Sequence, residues 1–290
     1  MKNYFAIIAM LLFSIAAHAQ NTVITSGLLH PESIITDGKF LYTTLIGKAL
    51  APTVKDGDGA ISKLDLAGRP IDLNFNKAVL NAPKGTAILG NILYVADVDR
   101  VVGFDLQSGE KVDEVDLSAQ GTQFLNDLTL KGDSVFFVSA TDIGKIFKVT
   151  IATPHRIEAL NIPKLIGPNG LLYDAKTDIL YVAGLDRSDN PMGELGVISY
   201  KGGHYTYTTL TDARGIFDGI QMFDANTLIV SDWVTLKERK TRLLKINIKE
   251  KTYIEIEKNI DAADILYDRK QKRFLLPALR DGNIVEYKFK

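Results

Sequence analysis

The sequence predicts an all-β chain, a six-bladed β-propeller whose N-terminal strand closes the last blade. Three observations carry this. Runs rich in β-branched and aromatic residues, such as Phe40-Leu41-Tyr42-Thr43-Thr44 and Ile92-Leu93-Tyr94-Val95-Ala96, recur between Gly, Asn and Asp turns, and no window beyond the first twenty residues holds a helical period. Six short segments preceding those runs superimpose. Their first residues, Glu32, Lys84, Asn126, Asn169, Asp218 and Ala263, stand 52, 42, 43, 49 and 45 positions apart, the repeat of a four-stranded blade. The two ends are also complementary: the unit beginning at Ala263 runs out of chain one strand short after residues 283–289, while residues 21–25 precede the first unit. Pairing them would remove the open edge of the ring.

In chain order, residues 1–19 have the three-part form of an export signal. Lys2 starts it, residues 6–17 are apolar apart from Ser14, and Ala17-His18-Ala19 gives the small-x-small cleavage site. The apolar run is short for a bilayer span and lacks a charged anchor at its far end. The mature chain, residues 20–290, is therefore expected to be one propeller domain, periplasmic or secreted, with no stable membrane insertion once the signal is removed.

Each unit then reads as an inner strand, a turn, a Tyr-Val-Ala-type strand, a loop and two outer strands. In the first unit the loop at 46–59 is the longest and carries Asp56-Gly57-Asp58-Gly59 without the later acidic ligand of an EF-hand, so a turn and lid are expected there. In the third, the outer strands are Lys145-Ile146-Phe147-Lys148-Val149 and Arg156-Ile157-Glu158-Ala159-Leu160. In the fifth, Lys237-Glu238-Arg239-Lys240 mixes signs and reads as a solvated loop.

Composition narrows the chemistry. The chain has no cysteine, which removes thiol nucleophiles, disulfides and thiolate metal sites. Its formal charge of −1 gives no field to draw nucleic acid. No Gly-x-Ser-x-Gly elbow is present.

In a propeller the inner strands line a central tunnel, so the six leading residues point toward one axis. Glu32, Asn126, Asn169 and Asp218 would bring two carboxylates and two amide carbonyls together without a thiol or imidazole, a donor set for a hard divalent cation, Ca²⁺ above all. Each of Asn126-Asp127, Asn169-Gly170 and Asp218-Gly219 is also an ordinary turn dipeptide. Their shared phase favours the common site. Asp127 is placed to orient Asn126.

Pro31-Glu32, Asn126-Asp127, Asn169-Gly170-Leu171 and Asp218-Gly219, as an ordered set, resemble the metal-binding motifs of the gluconolactonase and senescence-marker (regucalcin-like) propellers, related to paraoxonases and diisopropylfluorophosphatase. The resemblance implies a divalent cation on Glu32, Asn126, Asn169 and Asp218, and hydrolysis of a lactone or organophosphate. A cation with open positions polarises a carbonyl, and Asp218 or Asp127 would serve as general base. Ala82-Pro83-Lys84-Gly85 also resembles NHL-type repeats, which implies the alternative of a non-catalytic propeller binding a ligand or protein with a structural calcium.

Lys84 departs from the family pattern; it would receive a substrate anion or pair with Glu32 or Asp218. Loops after the second strands should rim the same face and bring Asp97, Asp99, Arg100, Asp142, Asp186, Arg187, Trp233 and Arg280 to it. Of these, Arg187, Trp233 and Arg280 join Lys84 as expected contacts for a small lactone or ester, with wall packing the plainer role for Trp233. The mature chain has three histidines, His30, His155 and His204; His30, two residues before Glu32, is within reach of the mouth but reads as a surface or strand-edge residue, and apolar Phe124 removes a sugar-acid anchor two residues before Asn126.

Overall fold

A computed structural model describes residues 20–237 and 240–288. The export signal expected over 1–19, and Glu238-Arg239 of the mixed-charge loop, lie outside the described residues. Six four-stranded antiparallel sheets form the ring, each starting with its inner strand and running outward in sequence order. Blade 1 is Pro31–Thr36, Phe40–Leu45, Ala60–Asp65 and the short Pro70–Asp72. Blade 6 begins with Leu266–Asp268 and is completed by Gln20–Thr25, which pairs with Asn283–Lys288 in the register Gln20↔Lys288 to Val23↔Val285. The six-bladed architecture and its closing N-terminal strand are those expected from the repeat.

The core is divided among the seams between blades rather than gathered at one centre. Tyr94 and Ala96 of blade 2 pack with Leu128, Phe136 and Phe147 of blade 3, and a comparable cluster fills every other seam, including Leu41 and Leu64 against Leu275 and Ile284 where the ring closes. A strand buried on both faces needs apolar side chains at successive positions. This is why Leu93-Tyr94-Val95-Ala96 and Leu180-Tyr181-Val182-Ala183 carry no alternation and are almost wholly buried.

One local feature positions everything at the axis. In five blades the inner strand slips register by one residue, between Pro31 and Ile34, Pro83 and Thr86, Leu125 and Leu128, Pro168 and Leu171, and Phe217 and Ile220. Two residues of the inner strand there oppose one of its neighbour, a β-bulge. The Asn-Asp, Asn-Gly and Asp-Gly pairs are thus bulges within strands, and none of them is a turn. The bulge frees a backbone N–H, and in alternate blades a hydroxyl on the second strand takes it up: Ser33 N–H donates to Thr44 (3.1 Å), Asp127 N–H to Ser139 (2.9 Å) and Gly219 N–H to Ser231 (2.8 Å). Each hydroxyl then donates to the next blade, Thr44 to the Lys84 carbonyl, Ser139 to that of Asn169 and Ser231 to that of Ala263.

Candidate metal and substrate site at the propeller axis

The bulge turns two consecutive residues toward the tunnel in each of these five blades. The first of each pair, Glu32, Lys84, Asn126, Asn169 and Asp218, lines the floor of a cavity of about 340 Å³ open to one face. The second set, Gly85, Asp127, Gly170 and Gly219, together with Asp264, lines a much narrower chamber beneath, and Glu32, Asn126, Asn169 and Asp218 face both spaces. Glycine is required in this lower ring by crowding rather than by backbone angle. A Cβ on Gly170 would lie 2.1 Å from the Asp218 carbonyl oxygen, and one on Gly85 would lie 2.3 Å from Asp127 Oδ1.

The four proposed ligands are buried, none more than 7% exposed. Their amide nitrogens are held by neighbours: Asn126 Nδ2 donates to Thr141 Oγ1 (3.3 Å), and Asn169 Nδ2 donates to Asp218 Oδ1 (2.7 Å) and the Phe217 carbonyl (3.3 Å). Glu32 Oε2 and Asn126 Oδ1 are buried acceptors with no donor. Such atoms cost roughly 1–3 kcal/mol each unless a cation or water meets them. Asp218 is fixed from the other side as well, because Trp233 Nε1 donates to its Oδ2 at 2.7 Å.

The electrostatics point the same way. Burial pushes the Glu32 carboxyl well above the usual range, with Asp218 and Asp264 adding to it. Burial likewise raises Asp218 and, reinforced by Asp264, raises Asp127; Asp264 itself is pushed up to about 6 by burial. Four carboxylates this close and this dry repel one another, and a divalent cation would relieve that. Two carboxylates and two amides, with one oxygen of Glu32 and one of Asn126 left without a donor, fit an oxygen-ligated cation such as Ca²⁺. Among the described residues no three His, Cys, Asp or Glu side chains form a group that could hold a metal ion, so a cation at the axis would need the two asparagines as well.

Lys84 is 1% exposed, and its ammonium donates to the backbone carbonyls of Ala82 (2.6 Å) and Pro52 (3.0 Å). Burial lowers it to about 8, against the pull of Glu32. Its hydrogen-bond partners are neutral, so it is not spent on a direct carboxylate contact. Arg187 lies with its guanidinium 4.7 Å from the centre of the Phe124 ring, and Lys84 Nζ lies 5.5 Å from the same ring. Arg280 stacks on Trp233 at 4.5 Å. The expected contact residues Lys84, Arg187, Trp233 and Arg280 therefore line one cavity, together with Ile46, Leu50, Pro52, Phe124, Leu185, Leu236 and Leu279.

Other rim residues serve the scaffold. Asp97 accepts from the Asn81 and Ala82 N–H groups and pairs with Arg100; Asp142 holds Thr122 and Gln123; Asp186 holds Ser188 and Met192. The long loop at 46–59 is strapped down by the Lys55–Asp99 ion pair and by Lys84, and its Leu50 and Pro52 form part of the cavity wall. His30 contacts the Gly47 carbonyl (2.9 Å) and His155 contacts Asp113 (2.9 Å). Neither lines the cavity, and nor does His204 at a hairpin end. Asp127 lines the lower chamber rather than the cavity, and its two oxygens accept from the Leu128 and Leu171 N–H groups at 2.7 Å each. Reading the sequence by leading residues alone missed Asp264 and Ser33. Asp264 Oδ2 accepts from Ser33 Oγ at 2.7 Å, closing the lower ring between blades 6 and 1. The available signal was the second position of each segment, which holds only Ser, Gly or Asp across all six units.

No family model and no curated protein matches the chain. Solved structures do resemble it. A luciferin-regenerating enzyme has 11% identity and a TM-score of 0.65, with 94% of this chain and 96% of that one covered. Virginiamycin B lyase from Staphylococcus aureus has 14% identity and a TM-score of 0.64, covering 94% and 99%. A candidate 6-phosphogluconolactonase from Bacteroides fragilis has 17% identity and a TM-score of 0.60, covering 90% and 80%. At these identities the likeness is one of fold.

Proposed function

We propose that the chain is an exported, divalent-metal-dependent hydrolase of a lactone or related ester, of the gluconolactonase-like kind. The observation that carries this is the pair of donorless buried oxygens, Glu32 Oε2 and Asn126 Oδ1, on the floor of a cavity that also holds Asn169 and Asp218. Glu32, Asn126, Asn169 and Asp218 would hold the cation. A bound Ca²⁺ supplies Lewis-acid polarisation of the ester carbonyl.

The chain's own side chains account for the rest. Asp218 faces the cavity and is locked in place by Trp233 Nε1 and Asn169 Nδ2, so it takes the proton from the attacking water. The water oxygen bonds to the acyl carbon, the acyl carbon–oxygen bond breaks, and the proton passes from Asp218 to the leaving alkoxide. A lactone gives one hydroxy acid. Asp127, tied to two backbone amides below the floor, orients the Asn126 strand instead of moving a proton. Apolar walls from Ile46, Leu185, Trp233 and Leu279 limit competing water.

The test is a panel of lactones, aryl esters and phosphotriesters assayed with calcium and then with chelator, alongside Asp218→Asn. Turnover that requires metal and falls at least about a hundredfold in the variant is expected for loss of a base. Activity that survives chelation in a still-folded protein would remove the proposal. Calcium binding without turnover of any substrate would favour the non-catalytic propeller.

A further inference from the structure

The cavity is divided into two unlike sectors. Blades 2 to 4 supply Lys84 and Arg187, two cations within 5.5 Å of the centre of one aromatic ring, Phe124, with Leu185 beside them. Blades 5, 6 and 1 supply Trp233, Leu236, Leu279, Ile46 and Leu50, with Arg280 stacked on Trp233 and donating to the Leu236 carbonyl. Leu50 and Leu236 carry the apolar sector outward to solvent, at 43% and 41% exposed.

Among the described residues Arg187 makes no hydrogen bond or ion pair, and its guanidinium stacks on Phe124. It is also partly desolvated, which lowers its pKa, with Asp218 pulling the other way. Arginine presents a planar fork of donors matched to a two-oxygen anion, and Arg187 carries that fork exposed at the cavity wall with no protein acceptor on it among the described residues. Lys84 has two of its three ammonium protons on backbone carbonyls and keeps one. One fork and one N–H suit a carboxylate better than a dianionic phosphate with three oxygens to satisfy.

We propose that the cavity selects an amphipathic monocarboxylate, its carboxylate seated on Arg187 and Lys84 above the Phe124 ring and its apolar body lying along Trp233, Leu279, Ile46 and Leu50. This rests on the hydrolase reading only for the ester; with it, the substrate class is a lactone or ester that carries a separate carboxylate and an apolar substituent. Without it, the same cavity binds such an anion without turning it over.

The experiment measures binding rather than turnover, so that the two readings fail separately. Titration calorimetry compares decanoate, hexanoate and decanol on the wild type and on Arg187→Met, with calcium and with chelator, and circular dichroism checks that the variant is folded. Decanoate is expected to bind at least tenfold more tightly than decanol and than hexanoate. Arg187→Met should weaken decanoate at least tenfold in both conditions while leaving decanol unchanged. Equal affinity for decanoate and decanol, or an unchanged decanoate affinity in Arg187→Met, overturns the proposal. So does decanoate binding that vanishes on chelation, since the carboxylate would then sit on the metal. Decanoate binding as expected, with no ester in the hydrolysis panel turned over, leaves this proposal standing and removes the other.

Discussion

Glu32 shows how a single atom sets the behaviour of the axis. Its Oε2 has no donor, and its carboxyl is raised by burial and by the neighbouring Asp218 and Asp264. Without a cation this is an unrelieved cost; a bound cation would make it a ligand. Glu32→Gln should therefore raise the melting temperature in chelator and lower it relative to wild type in calcium, with calcium affinity down about tenfold or more as ligand charge is lost. Melting curves with and without calcium check this, and the same sign of change in both would argue against a cation at Glu32. Asp264 makes a second prediction for the metal-free protein. Its folded pKa of about 6 lies above the ordinary 3.8, so it contributes stability that is complete below pH 3.8 and is lost as pH rises through about 6. In chelator the melting temperature should drop between pH 5 and 7, and Asp264→Asn should flatten that drop. The leading residues at the axis were legible in the sequence because four oxygen donors share one repeat phase. Asp264 and Ser33 were not, because strand alternation assigns only one residue of a consecutive pair to the tunnel, and the bulge that admits both is a matter of pairing register. The Lys84 contact with the Pro52 carbonyl was out of reach for another reason: it joins two blades through a loop whose path no local pattern specifies.

The bulged inner strand is the element that converts a repeat into a site. Its cost is an unpaired N–H and a close approach between neighbouring blades, and the sequence answers each with a particular residue. Ser231 takes up the Gly219 N–H and passes a hydrogen bond to the Ala263 carbonyl, which the same N–H also reaches directly at 3.2 Å, so Ser231→Ala removes two hydrogen bonds and leaves the longer direct one. A loss of about 1 kcal/mol in urea unfolding is expected, the net worth of a hydrogen bond whose partners keep a weaker contact. Gly170→Ala meets the Asp218 carbonyl oxygen instead, and must push blade 5 away from blade 4 at the axis. Its stability loss should come with a larger loss of calcium affinity than Ser231→Ala causes at equal stability, since Asp218 moves with the strand. Calorimetric calcium titration of the two variants separates them; equal affinities would mean the bulge does not control the ligand geometry. The strands themselves were legible from their β-branched and aromatic runs. The bulges were hidden because Asn-Gly and Asp-Gly are commoner as turns, and only the pairing partner reveals that the chain continues straight.

At the scale of the whole ring, stability depends on the one seam where chain continuity does not hold neighbouring strands together. Gln20–Thr25 pairs with Asn283–Lys288, joining strands more than 250 residues apart, and the seam cluster beside it includes Ile24 with Leu41, Leu275 and Ile284. The other blades are each closed by local hairpins, so the first event in unfolding should be the opening of this pair. A covalent clamp tests that without touching the axis. Thr22 and Glu286 are directly opposed in the register, and the chain has no cysteine of its own to compete. A Thr22→Cys, Glu286→Cys variant, oxidised, should gain up to about 5 kcal/mol for closing so long a loop, less any strain in the bridge. The reduced form of the same variant is the control for the substitutions. If seam opening leads, oxidation should slow unfolding in denaturant in proportion to the equilibrium gain, because the clamp then acts on the barrier. If oxidation raises equilibrium stability and leaves the unfolding rate unchanged, the ring opens first at another seam, and ring closure would matter to the stability of the ring but not to where it comes apart.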